Sequence, residues 1–239
     1  MNFNDFNTLS KAQASSYDVG LRAYMIGVFN KMFGALGVTG IVSFLLSTNE
    51  QIMRFMFRNI SVFWILFFAT LGIGLYLVLR LHKMSISTAN GLFWAYATLT
   101  GISFAPLFVV YTGSNIALAF CSSAALFGGM SLVGYTTKKD LTSLGTFLFV
   151  GLIVVLLTSL INRFFLHNSL FSLALSAIMV LIFIGFTAYD VQNIKRMYDY
   201  APSNEALSKF AIFGAFQLYL DFINLFINLL RLIGGSSRD

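Results

Sequence analysis

Seven stretches of the chain are predominantly apolar, the first interrupted by Lys31 near its start. They run from about Tyr24 to Leu46, Ile60 to Leu79, Gly91 to Tyr111, Ile116 to Tyr135, Leu144 to Ile161, Leu170 to Tyr189 and Phe210 to Leu230. Each has roughly the length needed to cross ~30 Å of hydrocarbon at 1.5 Å per residue. Strands of a membrane barrel would alternate apolar and polar residues. These runs do not alternate, so the pattern predicts an all-α integral membrane protein with seven transmembrane helices. The polar stretches between them are short. Residues 1–22 read as a polar cytoplasmic tail that lacks the apolar core of a cleavable signal, leaving the first membrane helix as the insertion signal. Residues 23–239 read as a single transmembrane domain. The longest connection is VQNIKRMYDYAPSNEALSK, turned at Pro202 and Ser203, with Ser203-Asn204-Glu205 suited to cap the last helix.

Composition agrees with that pattern. Of 239 residues, 58% are hydrophobic and 10% charged, where a soluble domain carries about 25% charge. The net charge of +6 has a topological meaning, because Lys and Arg collect in cytoplasmic loops. One side gathers Lys11, Arg22, Lys31, Arg80, Lys83, Lys138, Lys139, Lys195, Arg196 and Lys209. The other has Arg54, Arg58, Arg163, Arg231 and Arg238. The bias places the N-terminus in the cytoplasm and, after seven crossings, the C-terminus outside, with Arg54 and Arg58 opposing it. No clustered basic face points to nucleic acid. The single cysteine, Cys121, excludes an intrachain disulfide. His82 and His167 end different segments without the spacing of metal ligands.

Small residues recur in the first helix at Gly34, Gly37 and Gly40, and in the fourth from Ser122 to Gly129. Such residues let helices approach closely in lipid. Pro106 is expected to kink the third helix.

The candidate chemistry lies in two aspartates. Asp221 sits inside FAIFGAFQLYLDFINLFINLL, about 18 Å of helical rise beyond Lys209 and so near mid-membrane. An ionised carboxylate there costs on the order of 2.5–3.5 kcal/mol by insertion scales, which makes it a default functional candidate. Gln217, Asp221, Asn224, Asn228 and Arg231 follow at spacings of four, three, four and three, on one helical face. Such a stripe cannot face lipid cheaply. The C-terminal helix is therefore expected to be central, its stripe lining either an interhelical network or a hydrated path. Asp190 closes the sixth segment in GFTAYDVQNIK. It either pairs with Arg80, at the end of the second helix, or meets water at the interface. The two aspartates meet only if the sixth helix continues past Asp190 to about Lys195. In contact, two carboxyl groups cannot both hold a charge at low cost, and the pair would exchange a proton near physiological pH.

GFTAYDVQNIK and LYLDFINLFINLLRL resemble the signature segments of the Bax inhibitor-1 family, the transmembrane Bax-inhibitor-motif proteins, and bacterial members more than eukaryotic ones. The resemblance covers nearly the whole chain. It implies that the family's two-aspartate pH sensor maps to Asp190 and Asp221. It also implies that a latching arginine maps to Arg80, with Lys83 competing because RLHKMSIS is slightly longer than the bacterial pattern. Bacterial relatives are associated with a pH-sensitive calcium leak, eukaryotic ones with organelle calcium handling and suppression of cell death. One bacterial branch is linked to a membrane-bound AAA protease.

The resulting expectation is a calcium or cation leak channel of a bacterial inner membrane, gated by Asp190 and Asp221. Gln217, Asn224 and Asn228 would line the path, and no cofactor is expected beyond the permeating ion. Calcium takes six to eight oxygen ligands, so Asp190 and Asp221 would hold it weakly and transiently. The alternative is a regulatory protein that binds a membrane protease or another complex, its N-terminal tail, with Asp5, Lys11 and Asp18, being either a handle or plain disorder. An enzyme is not expected. The comparison with intramembrane aspartyl proteases fails because no Gly-x-Gly precedes Asp221 and no Pro-Ala-Leu follows it. No Walker loop or HExxH is present.

Overall fold

The structure, a computed structural model, describes residues 3–235, and side chains from Tyr17 onward. The side chains of Asp5 and Lys11, and Arg238, lie outside the described part. The chain is helical almost throughout, with no strand among the described residues. In chain order the helices are α1 (Phe3–Ser47), α2 (Glu50–Arg58), α3 (Ile60–Arg80), α4 (Ile86–Phe104), α5 (Leu107–Val110), α6 (Gly113–Thr136), α7 (Thr142–Ile161), α8 (Ser169–Tyr200) and α9 (Asn204–Gly235).

Among the described residues, seven spans are long and apolar enough to cross a membrane, the last being Asn204–Gly235. Four differences from the sequence pattern have physical causes. The polar leader is helical from Phe3 and runs unbroken into the span Tyr17–Ser47, because no Pro or Gly interrupts it before Gly20. The third span breaks after Phe104: Pro106 lacks an N–H, and a separate turn, α5, restarts beyond it. The connection before α3 is a helix, α2, capped by Asn49, whose side chain accepts from Gln51 N at 3.0 Å and Ile52 N at 3.1 Å. Finally, α8 extends to Tyr200, well past Asp190.

α9 is the hub. It packs against α8 most extensively, then α6, α1 and α4, and has the most buried window of the seven spans. The driving force is shape and polarity rather than hydrophobicity, since lipid is as apolar as leucine. Phe93 and Tyr96 of α4 meet Phe216 and Tyr219 of α9 edge to face, with ring centroids 4.9–6.1 Å apart. Close approach is concentrated at Gly134, where a Cβ would stand 2.2 Å from the Ala188 carbonyl oxygen of α8. Of the small residues singled out in the fourth span, only Ser123 is fully buried. Gly128 and Gly129 have open space where a Cβ would be, and Ala124 and Ala125 are exposed. α3 and α7 are peripheral and face outward with rows of exposed Phe, Leu and Ile.

Candidate functional site: a buried carboxyl pair between α8 and α9

Asp190 and Asp221 come together. The continuation of α8 past Asp190 carries its carboxyl group against α9, within hydrogen-bonding reach of Asp221. Both are buried, at 7% and 4% exposure. Asp190 is therefore covered by protein rather than meeting water. Gln217, one turn before Asp221 on α9, donates from Nε2 to Asp190 Oδ1 at 3.5 Å, the long limit of such a bond. Two oxygens of this cluster, Gln217 Oε1 and Asp221 Oδ2, are buried without a hydrogen-bond partner. A hydrogen bond between two carboxyl groups requires a proton on one of them, since an ionised carboxylate only accepts.

The latch residue does not join them. Arg80 is exposed at the end of α3, and no ion pair or hydrogen bond links it to Asp190 among the described residues. α3 packs against α4 and not substantially against α8, so the second span cannot deliver an arginine to the carboxyl pair in this conformation. Lys83 is likewise exposed in the turn that follows. The rest of the polar stripe turns inward on its own helix. Asn224 Nδ2 donates to the Leu220 carbonyl, and Asn228 Nδ2 to the Asn224 carbonyl, both at 2.8 Å. Asn228 is buried, Asn224 partly so, and Arg231 exposed.

Two polar arrangements around the pair carried little sequence signal. On the opposite face of α9, the buried Tyr219 hydroxyl shares a hydrogen bond with Thr39 Oγ1 at 2.8 Å, and Thr39 also donates to the Ala97 carbonyl at 2.9 Å. Thr100 is a further partner of Tyr219. α9 is thus tied to α1 and α4 on one side and to α8 on the other. Two to six residues beyond Asp190, α8 grips the turn between α6 and α7. Gln192 donates from Nε2 to the Lys139 carbonyl at 2.8 Å and accepts from Leu141 N at 2.9 Å. Arg196 pairs with Asp140 at 2.9 Å, and Lys195 donates to the Tyr135 carbonyl at 3.2 Å. The helix that carries Asp190 is held in register from both ends of its polar stretch. Among the described residues there is no cluster of three or more His, Cys, Asp or Glu able to hold a metal ion.

Six apolar spans around a seventh, central helix with a polar stripe define a multi-pass membrane protein with a carboxyl pair buried in its bundle. Residues 21–238 match the family model described as "Inhibitor of apoptosis-promoting Bax1", and the chain belongs to the Bax inhibitor-1 family. It is 45% identical over 224 residues to an uncharacterized protein of Rickettsia prowazekii, covering 94% of each chain. It is 40% identical over 219 residues to the inner membrane protein YbhL of Escherichia coli, covering 90% of this chain and 93% of that one. An uncharacterized membrane protein of Streptococcus pyogenes is 34% identical over 228 residues, covering 92% and 95%.

Proposed function

We propose that this chain is a pH-sensitive leak for calcium or another cation, gated by Asp190 and Asp221. Its site would be a bacterial inner membrane, as the printed name of the Escherichia coli relative indicates, with the N-terminus in the cytoplasm and the C-terminus outside. The observation that supports gating is the carboxyl contact between α8 and α9. With one proton present the two groups hold the helices together. Without it two like charges face each other in low dielectric. Because α9 touches four other spans, a shift at this contact reaches the whole bundle, which is the bistable element a switch requires. The orphaned Gln217 and Asp221 oxygens are acceptors that a passing cation would satisfy. Too few oxygens converge for retention, which suits a leak. The reading assigns no catalytic role and no resident cofactor.

The test is calcium entry into proteoliposomes across a pH series, wild type beside Asp221→Asn. Flux that changes with pH in the wild type and not in the variant is expected. Flux equal to that of empty vesicles overturns the reading.

A second reading, a regulatory protein that engages a membrane protease or other complex, has its own support. Residues 1–22 are polar, whereas the apolar run of the first span begins only at about Tyr24, so the N-terminal stretch suits a handle. Deletion of residues 2–14 abolishes partner capture under this reading and leaves proteoliposome flux unchanged under the first.

A further inference from the structure

The face of the molecule where α1 ends and α9 ends carries two features that the carboxyl pair does not use. The first is α2. Its Met53 and Met56 are buried against Leu46, Val62, Leu66 and Ala105, while Phe55, Phe57, Arg54 and Arg58 are exposed. A short helix with one face packed and the other mixing aromatic and basic side chains lies in the plane of the interface. Arg54 pairs with Glu50 at 2.5 Å; no ion pair of Arg58 is formed among the described residues. Both arginines line an open concavity of about 460 Å³ that is walled on its far side by Val109 of α5.

The second feature is an apolar groove of about 340 Å³ between α1, α4, α5, α6 and α9, with Phe108 of α5 in its wall. Its only hydroxyls, Thr39 and Ser43, are spent on backbone carbonyls and Tyr219. The groove's side-chain hydroxyls are therefore already engaged and the rest of its lining is almost wholly apolar, so hydrocarbon is the matching chemistry. The single turn of α5, restarted after Pro106, is the common wall of the basic concavity and the groove.

We propose that these two features bind one molecule of anionic phospholipid, its phosphate on Arg58 and Arg54 and an acyl chain in the groove. Charge complementarity selects the headgroup. Every phospholipid brings a phosphate to Arg58, but the only acid lining the concavity, Glu50, is already paired with Arg54, so the cation of a choline or ethanolamine headgroup meets two arginines and no free acid, whereas an uncharged glycerol headgroup adds no such repulsion. The site also explains why two arginines sit on the side with fewer cations, against the usual bias.

Cys121, the only cysteine, is exposed on the groove wall and serves as a native reporter. The full chain in detergent is titrated with phosphatidylglycerol, phosphatidylcholine or sn-glycerol 3-phosphate. Native mass spectrometry reads retention, and maleimide modification of Cys121 reads occupancy. Phosphatidylglycerol is expected to be retained about fivefold better than phosphatidylcholine, the gain typical of one basic residue at an anionic surface, and to slow Cys121 modification. Glycerol phosphate is expected to do neither. Arg58→Gln equalises the two lipids, whereas Arg163→Gln, exposed elsewhere on the same face, keeps the preference. Gly40→Leu, at a groove position with open space for a side chain, lowers retention of both lipids. Equal retention of both lipids by the wild type, protection by glycerol phosphate alone, protection by a second copy of the chain without lipid, or unchanged retention in Gly40→Leu each overturns the proposal.

Discussion

Asp190 on α8 and Asp221 on α9 stand within hydrogen-bonding reach of each other inside a membrane-spanning bundle, and a bond between them exists only while the pair keeps a proton. An asparagine at position 221 donates an amide N–H to Asp190 whether or not protons are available. Asp221→Asn is therefore expected to keep the fold and to flatten the pH dependence of thermal stability in detergent, while the wild type loses stability once its shared proton leaves. Parallel melting curves for the two proteins across the pH series would show that the contact does not control the α8–α9 packing.

The clamp on the α6–α7 turn has a different pH signature. Asp140 accepts from Thr142, side chain and backbone, and pairs with Arg196, and these donors pull its carboxyl down from 3.8 to about 2. A folded-state value below the unfolded one gives stability that is fully present above the unfolded value. It fades as pH falls through the folded value. Between neutrality and about pH 4 the clamp is thus expected to be constant, with loss confined to the range from about 3.8 towards 2. Hydrogen exchange at residues 137–142 measures it, and Asp140→Asn should raise exchange there above about pH 4, the difference from wild type closing as pH falls towards 2, while leaving the carboxyl-pair response intact.

Tyr219 holds α9 to α1 through a hydroxyl, not through bulk alone. Tyr219→Phe keeps the contacts with Phe93 and Tyr96 and removes that hydrogen bond. Side-chain hydrogen bonds between membrane helices average about 0.6 kcal/mol, and a loss of that order is expected in reversible unfolding from mixed micelles. Tyr219→Ala also empties a fully buried ring site and is expected to cost about 3–5 kcal/mol.

The span count, the central position of the last helix and the carboxylate inside that helix are legible because each is written in local pattern. Twenty apolar residues in a row have one stable arrangement in lipid, and a carboxylate inside such a run is conspicuous. Arg80 was misread because pairing across the bundle depends on which helices touch. Its own helix, with almost nothing but apolar residues, gives no hint that it packs on α4 at the periphery. Thr39, Thr100 and Gln192 escaped for the converse reason: a single hydroxyl or amide in a helix becomes a network only when its partner, 50 or more residues away in sequence, arrives opposite it. The same holds for glycine, whose role depends on the surface it faces.

Gly134 and Gly129 make that dependence measurable. They lie on the same helix, five positions apart, and so on different faces of it. A methyl group at Gly134 would meet the Ala188 carbonyl oxygen at 2.2 Å, a backbone atom that cannot swing away, whereas one at Gly129 meets nothing within 4 Å. Gly134→Ala must therefore push α6 from α8, and because Ala188 is two residues from Asp190, it also strains the turn that presents the carboxyl group. A cost of about 1–3 kcal/mol is expected, as for overpacking elsewhere, with an altered pH response of the pair. Gly129→Ala, on an exposed face, is expected to be neutral or to stabilise by up to about 1 kcal/mol through helix propensity alone. Unfolding measurements on the two variants side by side decide it: equal effects would mean that α6 and α8 are not in the close contact on which the geometry of the carboxyl pair depends.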